Sequence, residues 1–186
     1  MAAPPNWRAS AASATIRSIV SRFDPLAAFP DEIRVSTERT DLVYFRLSGL
    51  FAIHGTAPPK LTALTELNLP AEKITVCRGG LAELSELVQG EVLSPVYSLQ
   101  LGGPPAIPSG LVYVRFAEGV SAEERQPQMN GAGYSIETVP IYAPHTAWVR
   151  ATSREIADSL SGIEGLEQLA DLENVEPQML TESSRR

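Results

Sequence analysis

The chain offers few of the residues from which chemistry is usually built. Its 186 residues include one cysteine, Cys77, and two histidines, His54 and His145. A lone cysteine forms no internal disulfide, so the fold does not depend on an oxidising compartment. One thiol and two isolated imidazoles give no zinc ligand set, and no acidic loop has the spacing of a calcium site, so neither metal nor cofactor is expected. Positive charge is also scarce: 15 Lys and Arg stand against 22 Asp and Glu, a net charge of −7. Neutralising a phosphate backbone needs clustered cations, so nucleic acid is not an expected partner. No stretch approaches the roughly 18 apolar residues that a membrane span needs. The N-terminus lacks a continuous apolar core ahead of a cleavage site, so no signal peptide is visible. These absences slightly favour a cytoplasmic location and leave the compartment otherwise open.

Catalytic motifs are missing as well. There is no Gly-x-Ser-x-Gly elbow and no His-Glu-x-x-His. Cys77, within Ile74-Thr75-Val76-Cys77-Arg78, reads as a small buried hydrophobe. His145 lies in a Pro-containing turn, and His54 reads as a structural residue beyond a strand. Gly79-Gly80 reads as a turn into a helix, since no phosphate-binding fingerprint surrounds it. The expectation is a protein that is not an enzyme.

What is present is organisation. The first 30 residues hold Arg8, Arg17 and Arg22, with Ile16, Ile19, Val20 and Phe23 at the spacing of one apolar helical stripe. A short amphipathic helix and linker is the expectation there, and a transit peptide is the alternative that this composition leaves open. The last third is acidic, and we read that as a solvated face. Gly102 to Gly110, rich in Gly and Pro, reads as a linker between domains at 31–101 and 111–180, with 181–186 a polar tail.

The two domains look like copies of one module. Leu42-Val43-Tyr44-Phe45-Arg46-Leu47 matches Leu111-Val112-Tyr113-Val114-Arg115-Phe116 in type at almost every position. Ile74 to Arg78 parallels Thr146 to Arg150, Leu81 to Leu87 parallels Ile163 to Leu169, and Val92-Leu93-Ser94-Pro95 parallels Asn174-Val175-Glu176-Pro177. In the second copy the spacing predicts a strand over 111–116 and then a helix opened by a capping box at Ser121 and Glu124. Pro127 should shorten or kink that helix. Strands follow at Tyr134–Tyr142 and Ala147–Arg150, with a helix capped by Ser153, a second helical stretch from Ile163, and a last strand at Val175–Leu180. The expected core includes Val112, Val114, Phe116, Trp148, Ile156, Leu160, Leu166 and Leu169. The order is β-α-β-β-α-β, so the fold class is α+β: two tandem ferredoxin-like antiparallel-sheet modules, the first divergent.

The second copy resembles the propeptide and inhibitor domain of subtilisin-like serine proteases. The phrases that carry the resemblance are LVYVRFAEGVSAEERQ, GAGYSIETV, TAWVRAT and LEQLADLENVEPQML, between Leu111 and Leu180. It implies a ferredoxin-like domain whose sheet packs on two helices of the protease while its C-terminal segment enters the substrate cleft as a product-like strand. It implies a folding chaperone or tight inhibitor, with Glu176, Pro177, Gln178, Met179 and Leu180 as the cleft-binding residues. Pro127 departs from the family pattern. No protease domain follows Arg186, so the expected partner acts in trans or lies downstream. The other reading is an interaction module without inhibitory role, whose copies pair with each other, form a homo-oligomer or bind a different protein.

Overall fold

Alternation makes the second half of the central strand. From Ala106 to Phe116 the side chains of Val112, Val114 and Phe116 are buried, and those of Leu111, Tyr113 and Arg115 are half-buried on the opposite face. A period of two fixes which face meets the core. The computed structural model describes residues 24–80, 88 and 90–182. The expected N-terminal helix, the Leu81–Leu87 helix and the last four residues lie outside these.

Among the described residues the chain forms nine strands, all antiparallel, and three short α-helices. The strands are β1 (Glu32–Arg34), β2 (Val43–His54), β3 (Thr65–Leu69), β4 (Ile74–Arg78), β5 (Val92–Ser98), β6 (Ala106–Phe116), β7 (Tyr134–Thr138), β8 (Thr146–Ala151) and β9 (Leu172–Thr181). The helices are α1 (Gln126–Gly131), α2 (Ile156–Ser161) and α3 (Ile163–Glu167). All the strands belong to one sheet, ordered β3-β4-β2-β5-β6-β8-β7, with β1 paired to β2 and β9 to β6. The class is thus α+β with a single open antiparallel sheet. The two halves meet at one strand pairing, Tyr97 opposite Ala106.

Several expectations change. Ala106 to Gly110, expected as linker, belong to β6, which shortens the connection from β5 to residues 99–105, with a turn inside it closed by the Gly103 N–H on the Gln100 carbonyl at 3.0 Å. β7 stops at Thr138, before Pro140, because proline cannot donate to a ladder. The Ser121 capping box does not form. The chain makes a single 3₁₀ turn at Glu123–Arg125 and enters α1 with Pro127 in its first turn, where a missing N–H costs nothing. Ser153 does not cap the next helix either: Glu155 stands at the N-cap of α2 with no side-chain cap, and Ser153 Oγ accepts only the Glu155 N–H, at 3.3 Å. β1 and β3 were not foreseen, and His54 closes β2 rather than following it.

The core is shared between the halves. One cluster joins Phe51, Ile53, Leu61, Cys77 and Tyr97 of the first half to Ile156, Ala157 and Leu160 of α2 in the second. A second cluster, with Val112, Phe116, Met129, Tyr134 and Leu166, belongs to the second half alone. Trp148, expected in this core, lies on the opposite face and is half-buried, and Leu169 packs at the cluster's margin. Other links cross between the halves: Arg34 donates to Glu167 at 2.7 Å, and Thr37 exchanges two 3.1 Å hydrogen bonds with the Val175 backbone.

Candidate functional site

Two features of the second half bear on the expected site: the sheet face turned away from the helices, and the end of β9. The face follows from register. Tyr113 pairs with Trp148, and Arg115 with Thr146, on the side of the sheet opposite Val112 and Val114. The Tyr113 and Trp148 rings lie 5.3 Å apart at 59°, a tilted aromatic pair. Charges flank it. Arg115 is paired with Glu38 and lies 3.5 Å from Glu173, Arg150 donates to the Ser109 carbonyl at 3.3 Å, and Glu176 is exposed opposite Tyr113. Aromatic and arginine side chains on an open, half-dry face are the composition that protein contacts favour. Sequence reading placed Trp148 in the core; alternation counted outward from buried Val149 would have put it here.

β9 contains all five residues expected in a partner's cleft. The structure pairs the strand with β6, with Pro177 opposite Val112, Glu176 opposite Tyr113 and Leu180 opposite Ile107. Pro177 is buried, Gln178 Oε1 accepts from Ser109 Oγ at 2.7 Å, and Met179 and Leu180 pack against separate apolar clusters. Glu176 alone of the five is exposed. The outer edge of β9 is blunted too. The Val175 N–H and C=O both point outward to Thr37, so by alternation Pro177 turns its missing N–H to that same edge.

The remaining chemistry-bearing residues are buried or half-buried. His54 Nε2 lies 2.9 Å from Ser94 Oγ, and the Ser94 side chain has no solvent exposure. Burial, and secondarily the nearby Arg150 charge, lowers the His54 pKa from its ordinary 6.5 to about 4, so the imidazole is neutral at pH 7. Cys77 is buried, and that burial pushes its thiol up while a hydrogen bond with Thr65 opposes the shift. His145 is half-buried in the turn before β8, and its carbonyl accepts from the Phe116 N–H. Among the described residues no three His, Cys, Asp or Glu side chains gather as a metal site. No described helix is long and apolar enough to cross a membrane. A cavity of about 290 Å³ lies between β1, α2, α3 and β9, with the Arg34–Glu167 pair in its wall.

Known protein families, curated proteins and solved structures were all compared with the chain, and none matches it.

Proposed function

We propose that the chain is a propeptide-like protein that binds a subtilisin-like serine protease, as inhibitor or folding chaperone, without chemistry of its own. The observation that carries this reading is the strand order of the second half. β9-β6-β8-β7 is all antiparallel, with α1 between β6 and β7 and α2–α3 between β8 and β9. That is the split βαβ connectivity which the resemblance implies. The first half repeats the strand order as β5-β2-β4-β3, which supports two tandem ferredoxin-like modules fused along one sheet. In this reading the Tyr113–Trp148 face docks on the protease, and β9 acts as a fixed stalk. Glu176 to Leu180 then hold the tail in register rather than filling the cleft, and the residues after Thr181 extend into it by strand addition.

The second reading, an interaction module with no inhibitory role, draws support from the pairing of β9 with its own sheet. Titration of several subtilisin-like proteases separates the two. The full chain should slow at least one of them, removal of residues 182–186 should abolish the effect, and Trp148→Ala should weaken it. Were the full chain to inhibit none, or the truncated chain to inhibit equally well, the interaction module would replace the protease reading.

A further inference from the structure

The sheet ends on an open edge. Among the described residues β3 and β7 are its outermost strands, and no strand pairs with the outer side of β7. The Gly133 carbonyl accepts the Thr152 N–H at 2.9 Å, which makes these two a hydrogen-bonded pair. In the register Tyr134–Ala151, Ser135–Arg150 and Ile136–Val149, alternation then turns the backbone of Ser135 toward β8 and the N–H and C=O of Tyr134 and Ile136 outward. Such an edge is a template for another strand, and the usual deterrents are missing from it. β7 contains no proline and no lysine, and its one charged residue, Glu137, is already paired with Arg154. The outer edge of β9, by contrast, is closed by Thr37.

Beside this edge stands an exposed apolar tip. After β7 the chain turns at residues 140–143, where the Ala143 N–H meets the Pro140 carbonyl at 3.0 Å, and Ile141 and Tyr142 at the corner are 99% and 91% exposed. The tip is tied down on both sides. The Thr146 N–H donates to the Ala143 carbonyl at 3.0 Å, and the Ala122 N–H to the Pro144 carbonyl at 2.9 Å. Two large apolar side chains fixed in water mark a contact surface.

We propose that two copies of the chain pair through β7, antiparallel about a two-fold axis at Ser135. Tyr134 of each copy then lies opposite Ile136 of the other, and both of these pairs exchange two backbone hydrogen bonds. On the helix side of the sheet the half-buried Ile136 carries the second cluster across to its counterpart. The same register, stepped past the irregularity between Ile136 and Thr138, brings Pro140 level with Gly131, where α1 of the second copy ends. Val139 packs against the second cluster, so the tip sits on the helix side and Ile141 and Tyr142 meet that end of α1. Charge also selects a second copy: Ser135 at the axis sets no like charges against each other in a chain of net charge −7. Isologous pairing of this kind uses edge and tip twice and closes on itself. The Tyr113–Trp148 face and β9 stay free in both copies, so the pairing does not depend on the protease reading.

Sedimentation equilibrium of the full chain should give twice the single-chain mass of 20.0 kDa. Ser135 is half-buried on the face away from the helices, and Ser135→Asp and Ser135→Lys should each reduce the mass to that of one chain by setting like charges across the axis. An equal mixture of the two variants should restore the pair. Residues opposite each other without hydrogen bonds stand about 4.5 Å apart at Cα, so Ser135→Cys should oxidise to a disulfide between copies. Ile141→Ser combined with Tyr142→Ser should weaken the dimer roughly tenfold or more. A single-chain mass for the parent at every soluble concentration would overturn the proposal. So would a pair that survives Ser135→Asp, a dimeric Ser135→Cys sample that forms no disulfide at that position, or tip substitutions that leave the dissociation constant unchanged.

Discussion

His54 couples stability to pH through one side chain. Its pKa is near 4 in the folded protein and 6.5 ordinarily, so the unfolded chain takes up the proton first as pH falls. The stability present above pH 6.5 is therefore lost progressively between about 6.5 and 4, amounting to roughly 2 kcal/mol at pH 5. His54→Asn preserves a polar partner for Ser94 without titrating, and urea unfolding at pH 7 and pH 5 should show a smaller drop for the variant than for the parent. An equal drop would mean that His54 charges as freely in the fold as outside it. Gly110 acts by shape. Its φ of +82° lies in the left-handed region, and a Cβ there would sit 2.6 Å from Arg150 Nη1 and 3.2 Å from Ile156 Cγ1. The guanidinium can swing aside, but the backbone strain cannot, so Gly110→Ala should cost at least about 1–2 kcal/mol in the same urea experiment.

At the scale of elements, β9 determines what a truncation means. Loss of residues 182–186 leaves every described pairing of β9 with β6 in place, and the melting temperature should hold. Loss of 176–186 removes Pro177, Met179 and Leu180 from three packing environments together with the hydrogen bond from Ser109, and it should lower the melting temperature by many degrees. A deletion of 176–186 that melted like the parent would show β9 to be a loose flap. The same strand shows what could be read from sequence. Its position and its proline were legible, because a β-rich run ending in Glu-Pro cannot be helical at the residue before proline. Its partner was not, since pairing with β6 depends on contacts some seventy residues away. β6 itself was found from Leu111 onward, yet its first five residues read as linker because Pro108 and Gly110 signal breaks. In the fold they form an irregularity, where the pairing steps from Pro108–Met179 to Val112–Pro177. The capping box failed for a related reason: Ser121 and Glu124 satisfied the pattern, but Pro127 fitted the first turn of a helix beginning five residues later.

For the molecule as a whole, the question is whether two repeats make two folding units. Sequence similarity suggests two, and the strand orders repeat, but the packing joins them. α2 lies between β8 and β9 in the chain, yet it places Ile156, Ala157 and Leu160 among Phe51, Ile53 and Tyr97 of the first half. Separating the halves would expose both sides of that cluster, and at about 25 cal/mol per Å² of apolar surface such exposure cannot be absorbed by domains only marginally stable in total. The halves should therefore unfold together. Each carries its own reporter: Cys77, fully buried in β4, reacts with a thiol reagent only when the first half opens, and Trp148 in β8 changes its fluorescence when the second half does. Trp7 must be replaced by Phe so that the emission belongs to Trp148 alone. Thiol labelling and fluorescence followed across a urea series should give one midpoint, because a cooperative two-state transition looks the same to every probe. If Cys77 became reactive at clearly lower urea than the fluorescence midpoint, the first half would be opening by itself. α2 would then be a contact made by two finished domains rather than a part of the core they share.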